Sequence, residues 1–242
     1  MNKLRYLLEH NKLAKIAEIL FIFFIVIAFL SLLLPLTGDN LIQKQVVIWF
    51  ANIMMLILIW LGLKVRGQSP DYFGISFRKV KVKSAFKTFL LSLLVFILAT
   101  AAFVLASIIM ANITGIPEDS DMSAYSYMQD NFFLFLLTLL GSYVVASFGE
   151  EVIYRAFLIN RLMELGLNSR IGKSIAVLIG ALIFGLVHYQ WGPMGIVQTT
   201  FMGIVLGYFY LKFNKRIWIL VLAHAYMDTI LMLQLYLSGI EG

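Results

Sequence analysis

Two glutamates and an arginine, Glu150, Glu151 and Arg155, lie within an otherwise apolar stretch of the chain. Ionisable side chains at membrane depth cost roughly 2.5–3.5 kcal/mol each on insertion scales, so their presence favours a functional role. Residues four apart share a helix face, so Glu151 and Arg155 are expected to form an ion pair. A purely structural pair that fixes helix packing is the alternative, but it leaves Glu150 unexplained.

Two later apolar stretches each contribute a histidine. Phe184 precedes His188 by four residues, and His224 precedes Asp228 by four. On a helix, Phe184 can pack beneath the His188 imidazole, and Asp228 can orient the His224 imidazole or bind an ion with it. Carboxylates and imidazoles that converge inside a bundle provide the groups for hydrolysis or for ion transport.

These residues must be positioned by membrane helices. The 242-residue chain is 61% hydrophobic, and its mean hydropathy is +0.91, whereas soluble domains are roughly 45–50% apolar. Lipid offers no hydrogen-bond partners to the backbone, so the spans must be helical. We therefore predict an all-α, polytopic transmembrane helix bundle with seven spans, at residues 14–36, 44–63, 86–112, 131–163, 173–190, 193–212 and 217–237.

The charges that flank these spans indicate how the chain is oriented. The net charge is +6, and the basic residues mostly border apolar stretches, so they favour anchoring at an anionic membrane face over binding to nucleic acid. Basic loops alternate with neutral or acidic ones; the loop groups include Arg78 and Lys79, and Glu118, Asp119 and Asp121. This alternation predicts an integral protein of a cell membrane with a cytoplasmic N-terminus. Glu18, near a span end, is expected to extend its side chain to the interface.

The chain is expected to be a single membrane domain. Residues 1–130 would form a three-span region of unknown role, and residues 131–242 the helical core that carries these polar residues. The absence of cysteine excludes a disulfide framework and a thiolate nucleophile or metal ligand.

The three motifs Glu-Glu-x-x-x-Arg at 150–155, Phe-x-x-x-His at 184–188 and His-x-x-x-Asp at 224–228 occur in order, each in its own predicted span. This pattern resembles the CPBP family of intramembrane endopeptidases, named for CAAX proteases and bacteriocin-processing proteins and also called the Abi family. The resemblance covers roughly residues 131–237.

The resemblance implies a membrane-embedded, glutamate-dependent protease that hydrolyses a peptide bond in a membrane-associated peptide or protein. Glu150 would be the general base, and Glu151 its partner, held by Arg155. His188 would position the water or a metal ion. His224 and Asp228 would bind a metal ion or stabilise the oxyanion. Phe184 would support the site without taking part in the chemistry.

The sequence is compatible with a site that holds a metal ion and with one that does not. His188, His224 and Glu150 could supply three zinc ligands and leave an open position, and zinc would lower the pKa of a bound water to about 7. Without a metal, the histidines would act as hydrogen-bond donors to an oxyanion.

The sequence does not identify the substrate. The family acts on prenylated C-terminal motifs in eukaryotes, and on leader or signal peptides or in bacteriocin self-immunity in bacteria; the short loops favour a bacterial member. Two other functions remain, a non-catalytic peptide-binding immunity protein and a proton-coupled transporter. Against a transporter, the sequence shows no internal repeat.

Overall fold

The computed structural model describes residues 3–76, 81–115 and 123–237. Among the loop residues used to predict orientation, Arg78, Lys79, Glu118, Asp119 and Asp121 lie outside these ranges. The orientation of the N-terminus stays a prediction.

The described residues form helices and connecting turns. The helices are α1 (Lys3–His10), α2 (Lys12–Leu33), α3 (Leu41–Arg66), α4 (Val82–Thr114), α5 (Phe132–Ser142), α6 (Asn160–Glu164), α7 (Arg170–Leu186), α8 (Gly192–Lys212) and α9 (Ile217–Leu237). A π-helical segment, Tyr143–Ile159, joins α5 to α6 without a break. The predicted all-α helix bundle is confirmed.

Six continuous helical stretches are long and apolar enough to cross a membrane. These six, counted among the described residues only, are Lys12–Thr37, Leu41–Arg66, Val82–Thr114, Phe132–Glu164, Tyr189–Lys212 and Ile217–Leu237. The seventh predicted span, residues 173–190, corresponds to α7, which has only 17 residues. At 1.5 Å per residue α7 is about 25 Å long, somewhat shorter than a typical hydrocarbon core of about 30 Å.

Side-chain caps fix where several helices begin. The Oδ1 atoms of Asn11, Asn40 and Asn131 accept backbone N–H groups at the starts of α2, α3 and α5. Ser169 does the same for α7. These caps satisfy amide groups that the first helical turn leaves without an intrahelical partner.

The core of the bundle surrounds the π-helical segment. Residues 152–159 are all buried there, together with Phe184 of α7, Leu206 of α8 and Leu220 of α9. A π-helix closes i→i+5 hydrogen bonds and is rare outside single turns near functional sites. The stretch that carries the first motif therefore has an uncommon backbone at the centre of the fold.

Helices α7 and α8 approach each other closely at glycines. A Cβ added to Gly185 would meet the backbone oxygen of Ile196 at 2.6 Å, and one added to Gly203 would lie 3.2 Å from Phe184 Cδ1. Such small residues let two helices pack with little space between their backbones. The close approach sets the position of the α7 end that carries Phe184 and leads to His188.

A second polar cluster is buried away from the three motifs. Arg66 of α3 forms ion pairs with Glu18 of α2 and Glu164 of α6, and Arg161 of α6 contacts the same two glutamates. The Glu18 side chain is only 8% exposed. The expectation that Glu18 extends to the interface is wrong, because two buried guanidinium groups hold its carboxylate inside the bundle.

Candidate active site

Three elements bring the predicted site residues together. The π-helical segment supplies Glu150, Glu151 and Arg155, and α9 supplies His224 and Asp228. Phe184 lies near the end of α7, and His188 follows that end by two residues. The Phe184 ring lies against Arg155 and His188, and its centroid is 6.3 Å from that of His224, so it contacts all three motifs.

The His224 imidazole is the centre of the arrangement. Its Nδ1 lies 2.9 Å from Glu151 Oε1, and its Nε2 lies 3.9 Å from Glu150 Oε2 and 3.7 Å from Asp228 Oδ1. A carboxylate accepts hydrogen bonds, so Nδ1 carries the proton that it donates to Glu151. The two distances at Nε2 are too long for direct hydrogen bonds but suit a bridging water or a substrate atom.

Glu151 is held from a second side by Arg155. Arg155 Nη1 lies 3.0 Å from Glu151 Oε1, and both side chains are almost completely buried. The Arg155 guanidinium also lies 4.2 Å above the Phe184 ring, where the ring face attracts the cation. The expected Glu151–Arg155 ion pair is present, and it provides charge compensation for a buried carboxylate.

Phe184 and the backbone orient His188. The centroids of the Phe184 and His188 rings are 4.8 Å apart in an edge-on arrangement, as the four-residue spacing indicated. His188 Nδ1 lies 2.7 Å from the Phe184 backbone oxygen, so Nδ1 donates to it. In a neutral ring Nε2 is then an acceptor. Trp191, 4.9 Å from His188 between ring centroids, packs on the imidazole as well.

Ser147 is a site residue that the motifs did not indicate. Its hydroxyl donates to Asp228 Oδ2 at 2.6 Å, and the residue is completely buried. A single serine in a transmembrane helix commonly bonds to its own backbone, so its type gave no signal. Only the pairing of the π-helical segment with α9 reveals its partner.

Tyr125, in the turn before α5, also lies near the carboxylates. Burial raises the pKa of its phenol to about 12, and Tyr127 and the negative charges of Asp228 and Glu150 act in the same direction. The phenol therefore remains neutral at physiological pH.

Exposure separates the site into a reacting side and a supporting side. The side chains of Glu150 and Asp228 are 17% and 14% exposed, whereas Glu151 is 0% exposed. A water or peptide can therefore reach Glu150 and Asp228, while the surrounding protein covers Glu151.

The donors as placed do not fit a metal centre. Within residues 3–76, 81–115 and 123–237, no group of three or more His, Cys, Asp or Glu side chains is arranged to hold a metal ion. Glu151 engages only Nδ1 of His224, and the Phe184 backbone oxygen engages only Nδ1 of His188, so these bonds leave both Nε2 atoms available as ligands. The tentative zinc ligands His188, His224 and Glu150 stay a prediction.

Part of the chain matches a known protein family. The model of the family described as type II CAAX prenyl endopeptidase Rce1-like matches residues 132–230. These residues, somewhat less than half of the chain, are therefore similar to that family. No curated protein and no solved structure matches the chain significantly.

The match includes all three motifs and extends from α5 into α9. It confirms the resemblance to the CPBP family. The matched segment is thus similar to a family of CAAX-type intramembrane proteases. The six apolar helical stretches found among the described residues of the whole chain mark an integral membrane protein.

Proposed function

We propose that this protein is an intramembrane endopeptidase that hydrolyses a peptide bond in a membrane-associated peptide or protein, with a water activated by Glu150. The observation that carries the proposal is the approach of Glu150 and Asp228 to the same nitrogen of His224. The Glu151 contact at the other ring nitrogen fixes the direction in which that nitrogen points.

In the proposed first step, Glu150 takes a proton from a water that lies between its carboxylate and His224. His188 offers Nε2 as an acceptor, since its Nδ1 donates to the Phe184 carbonyl, and in this proposal Nε2 accepts the second hydrogen of the water. The water oxygen then attacks the peptide carbonyl carbon. General-base assistance of this kind contributes typically about 10²- to 10⁴-fold to the rate.

In the same step His224 stabilises the oxyanion. Carboxylates on both sides of the ring favour an imidazolium, which donates Nδ1–H to Glu151 and Nε2–H to the developing negative charge. Glu150 then returns its proton to the amine that leaves. Glu151 and Arg155 contact only His224, each other and their packing neighbours, so they position the imidazole without touching the substrate.

The proposed substrate is one that reaches the site from the bilayer. The matching family is described as a type II CAAX prenyl endopeptidase, and the site lies within apolar helices. We therefore expect the substrate to be presented from the bilayer, either through a prenyl group or through the apolar part of a leader or signal peptide. Bacteriocin self-immunity is a biological role in which such cleavage could operate.

The test is cleavage of a peptide library by the purified full-length protein in nanodiscs. The library contains matched prenylated and unprenylated peptides with a CAAX end, and leader peptides. Cleavage of one class by wild type but not by Glu150→Gln supports the proposal and names the substrate class. Equal cleavage by both proteins contradicts it, and no cleavage of any peptide favours the immunity or transport functions.

A chelator added to the same assay decides the metal question. The mechanism above uses only groups of this chain, so it predicts that chelation leaves the rate unchanged. A rate that is lost with chelator and restored by zinc would instead support the three-ligand prediction.

A further inference from the structure

The two oxygens of the Asp228 carboxylate have different surroundings. Oδ2 accepts the Ser147 hydroxyl at 2.6 Å, while Oδ1 lies 3.7 Å from His224 Nε2. The first distance is that of a short, charge-assisted O–H···O⁻ bond. The second exceeds the hydrogen-bond range.

Ser147 is well placed to determine this difference. It lies on the π-helical segment, 81 positions from Asp228 along the chain, and is completely buried. A hydroxyl fixed inside the packed core has little freedom to move away from its acceptor. The carboxylate is therefore pinned at one oxygen by an element other than its own.

Without this bond, Asp228 would have a nearby alternative partner. A small rotation of its side chain would bring a carboxylate oxygen to His224 Nε2, four residues earlier on the same helix. A direct Asp228–His224 hydrogen bond would occupy the nitrogen that the proposed mechanism reserves for the oxyanion. The long Nε2–Oδ1 distance leaves that nitrogen open.

We propose that Ser147 is a positioning residue, which holds the Asp228 carboxylate back from His224 and so keeps His224 Nε2 open to substrate. This inference rests on the proposed function for its effect on catalysis. It goes beyond that function because Ser147 belongs to none of the three motifs.

Kinetics in nanodiscs test the proposal with a matched control. Loss of one hydrogen bond to a charged group should lower kcat of Ser147→Ala by about 10- to 100-fold, with KM changed less than about twofold because the residue touches no substrate. Ser142→Ala removes another buried serine of the same span, and it should retain the wild-type kcat. A Ser147→Ala rate equal to that of Ser142→Ala overturns the proposal.

Two further variants separate positioning from packing. Ser147→Cys nearly keeps the side-chain volume but offers only a weak donor, so it should fold and still lose kcat. If Ser147 acts through Asp228, the double variant Ser147→Ala/Asp228→Ala should be no slower than Asp228→Ala alone. If the losses of kcat in the two single variants multiply in the double variant, Ser147 acts by a route other than Asp228.

A measurement that does not depend on peptide cleavage distinguishes a failure of the positioning role from a failure of the proposed function. The ¹⁵N resonance of His224 Nε2, assigned by its loss in His224→Gln, should shift in Ser147→Ala and stay in place in Ser142→Ala. An unchanged resonance in Ser147→Ala overturns the positioning role. If wild type cleaves no peptide but the resonance shifts, the proposed function fails and the positioning of Asp228 stands.

Discussion

At the scale of single residues, His224 is oriented through one nitrogen and left available at the other. Glu151 accepts from Nδ1 at 2.9 Å, and Arg155 with Phe184 keeps Glu151 in place. The same division, with one nitrogen oriented by a buried carboxylate and one directed at the reaction, operates in catalytic triads. The buried charges of Glu151 and Arg155 are therefore explained by the direction in which His224 points.

The first prediction concerns Glu151→Gln. The amide keeps the size of the side chain but loses the charge that orients and stabilises the imidazolium. We expect kcat to fall roughly 10²-fold or more, in the direction seen when a triad carboxylate becomes an amide. Single-turnover cleavage in nanodiscs measures it, and thermal unfolding verifies that the variant is folded under assay conditions. A folded variant with the wild-type rate would remove Glu151 from the mechanism.

At the scale of helices, α7 delivers both Phe184 and His188, and its contact with α8 determines where they lie. Gly185, between these two residues, allows the Ile196 backbone oxygen to come close. Gly180, one and a half turns earlier, has only ordinary contacts, the nearest at 3.4 Å. These two glycines of one helix offer a matched comparison.

The second prediction is that Gly185→Ala inactivates the site, whereas Gly180→Ala does not. The new methyl at position 185 would meet backbone 2.6 Å away, so α7 must shift at the turn that carries His188. We expect at least about a tenfold loss of kcat and a loss of stability of about 1–3 kcal/mol, typical of overpacking. Cleavage rates and unfolding of both variants measure this, and equal behaviour would show that the close approach is unimportant.

The helix bundle and two contacts between residues four positions apart could be predicted from the sequence. Hydropathy located the bundle, because long apolar runs leave the chain few alternatives in lipid. Four-residue spacing predicted the Glu151–Arg155 pair and the Phe184–His188 contact, since both depend on one local element.

The π-helical backbone and the Ser147–Asp228 bond could not be predicted, because they depend on how distant elements pack. Glu18 was misjudged for the same reason, since its partners come from α3 and α6.

At the scale of the whole molecule, a buried ionic network joins the N-terminal helices to the end of the site-bearing span. Arg66 donates to the Leu8 backbone oxygen at 2.6 Å and pairs with Glu18 and Glu164. Tyr72 donates to Glu164 at 2.5 Å. The first three helices therefore hold the carboxyl-terminal end of the span whose middle carries Glu150.

The third prediction is that Arg66→Met destabilises the protein strongly, whereas Arg5→Met does not. The Arg66 side chain is 1% exposed, and removing one partner of a buried network typically costs about 3–5 kcal/mol. Arg5 forms an exposed i,i+4 pair with Glu9, at 42% side-chain exposure, and such pairs contribute less than about 1 kcal/mol. Reversible unfolding in detergent measures both, and similar losses would contradict a clamping role for the network.

The most direct test of the central claim is the initial rate of peptide cleavage by Glu150→Gln, compared with Glu9→Gln as a control for the loss of a glutamate outside the site. Both are measured in nanodiscs by mass spectrometry on the peptide that wild type cleaves fastest. The mechanism predicts that Glu150→Gln loses at least about 10²-fold in kcat while folded, and that Glu9→Gln cleaves at the wild-type rate. A folded Glu150→Gln protein that cleaves as fast as Glu9→Gln would show that Glu150 does not activate the water.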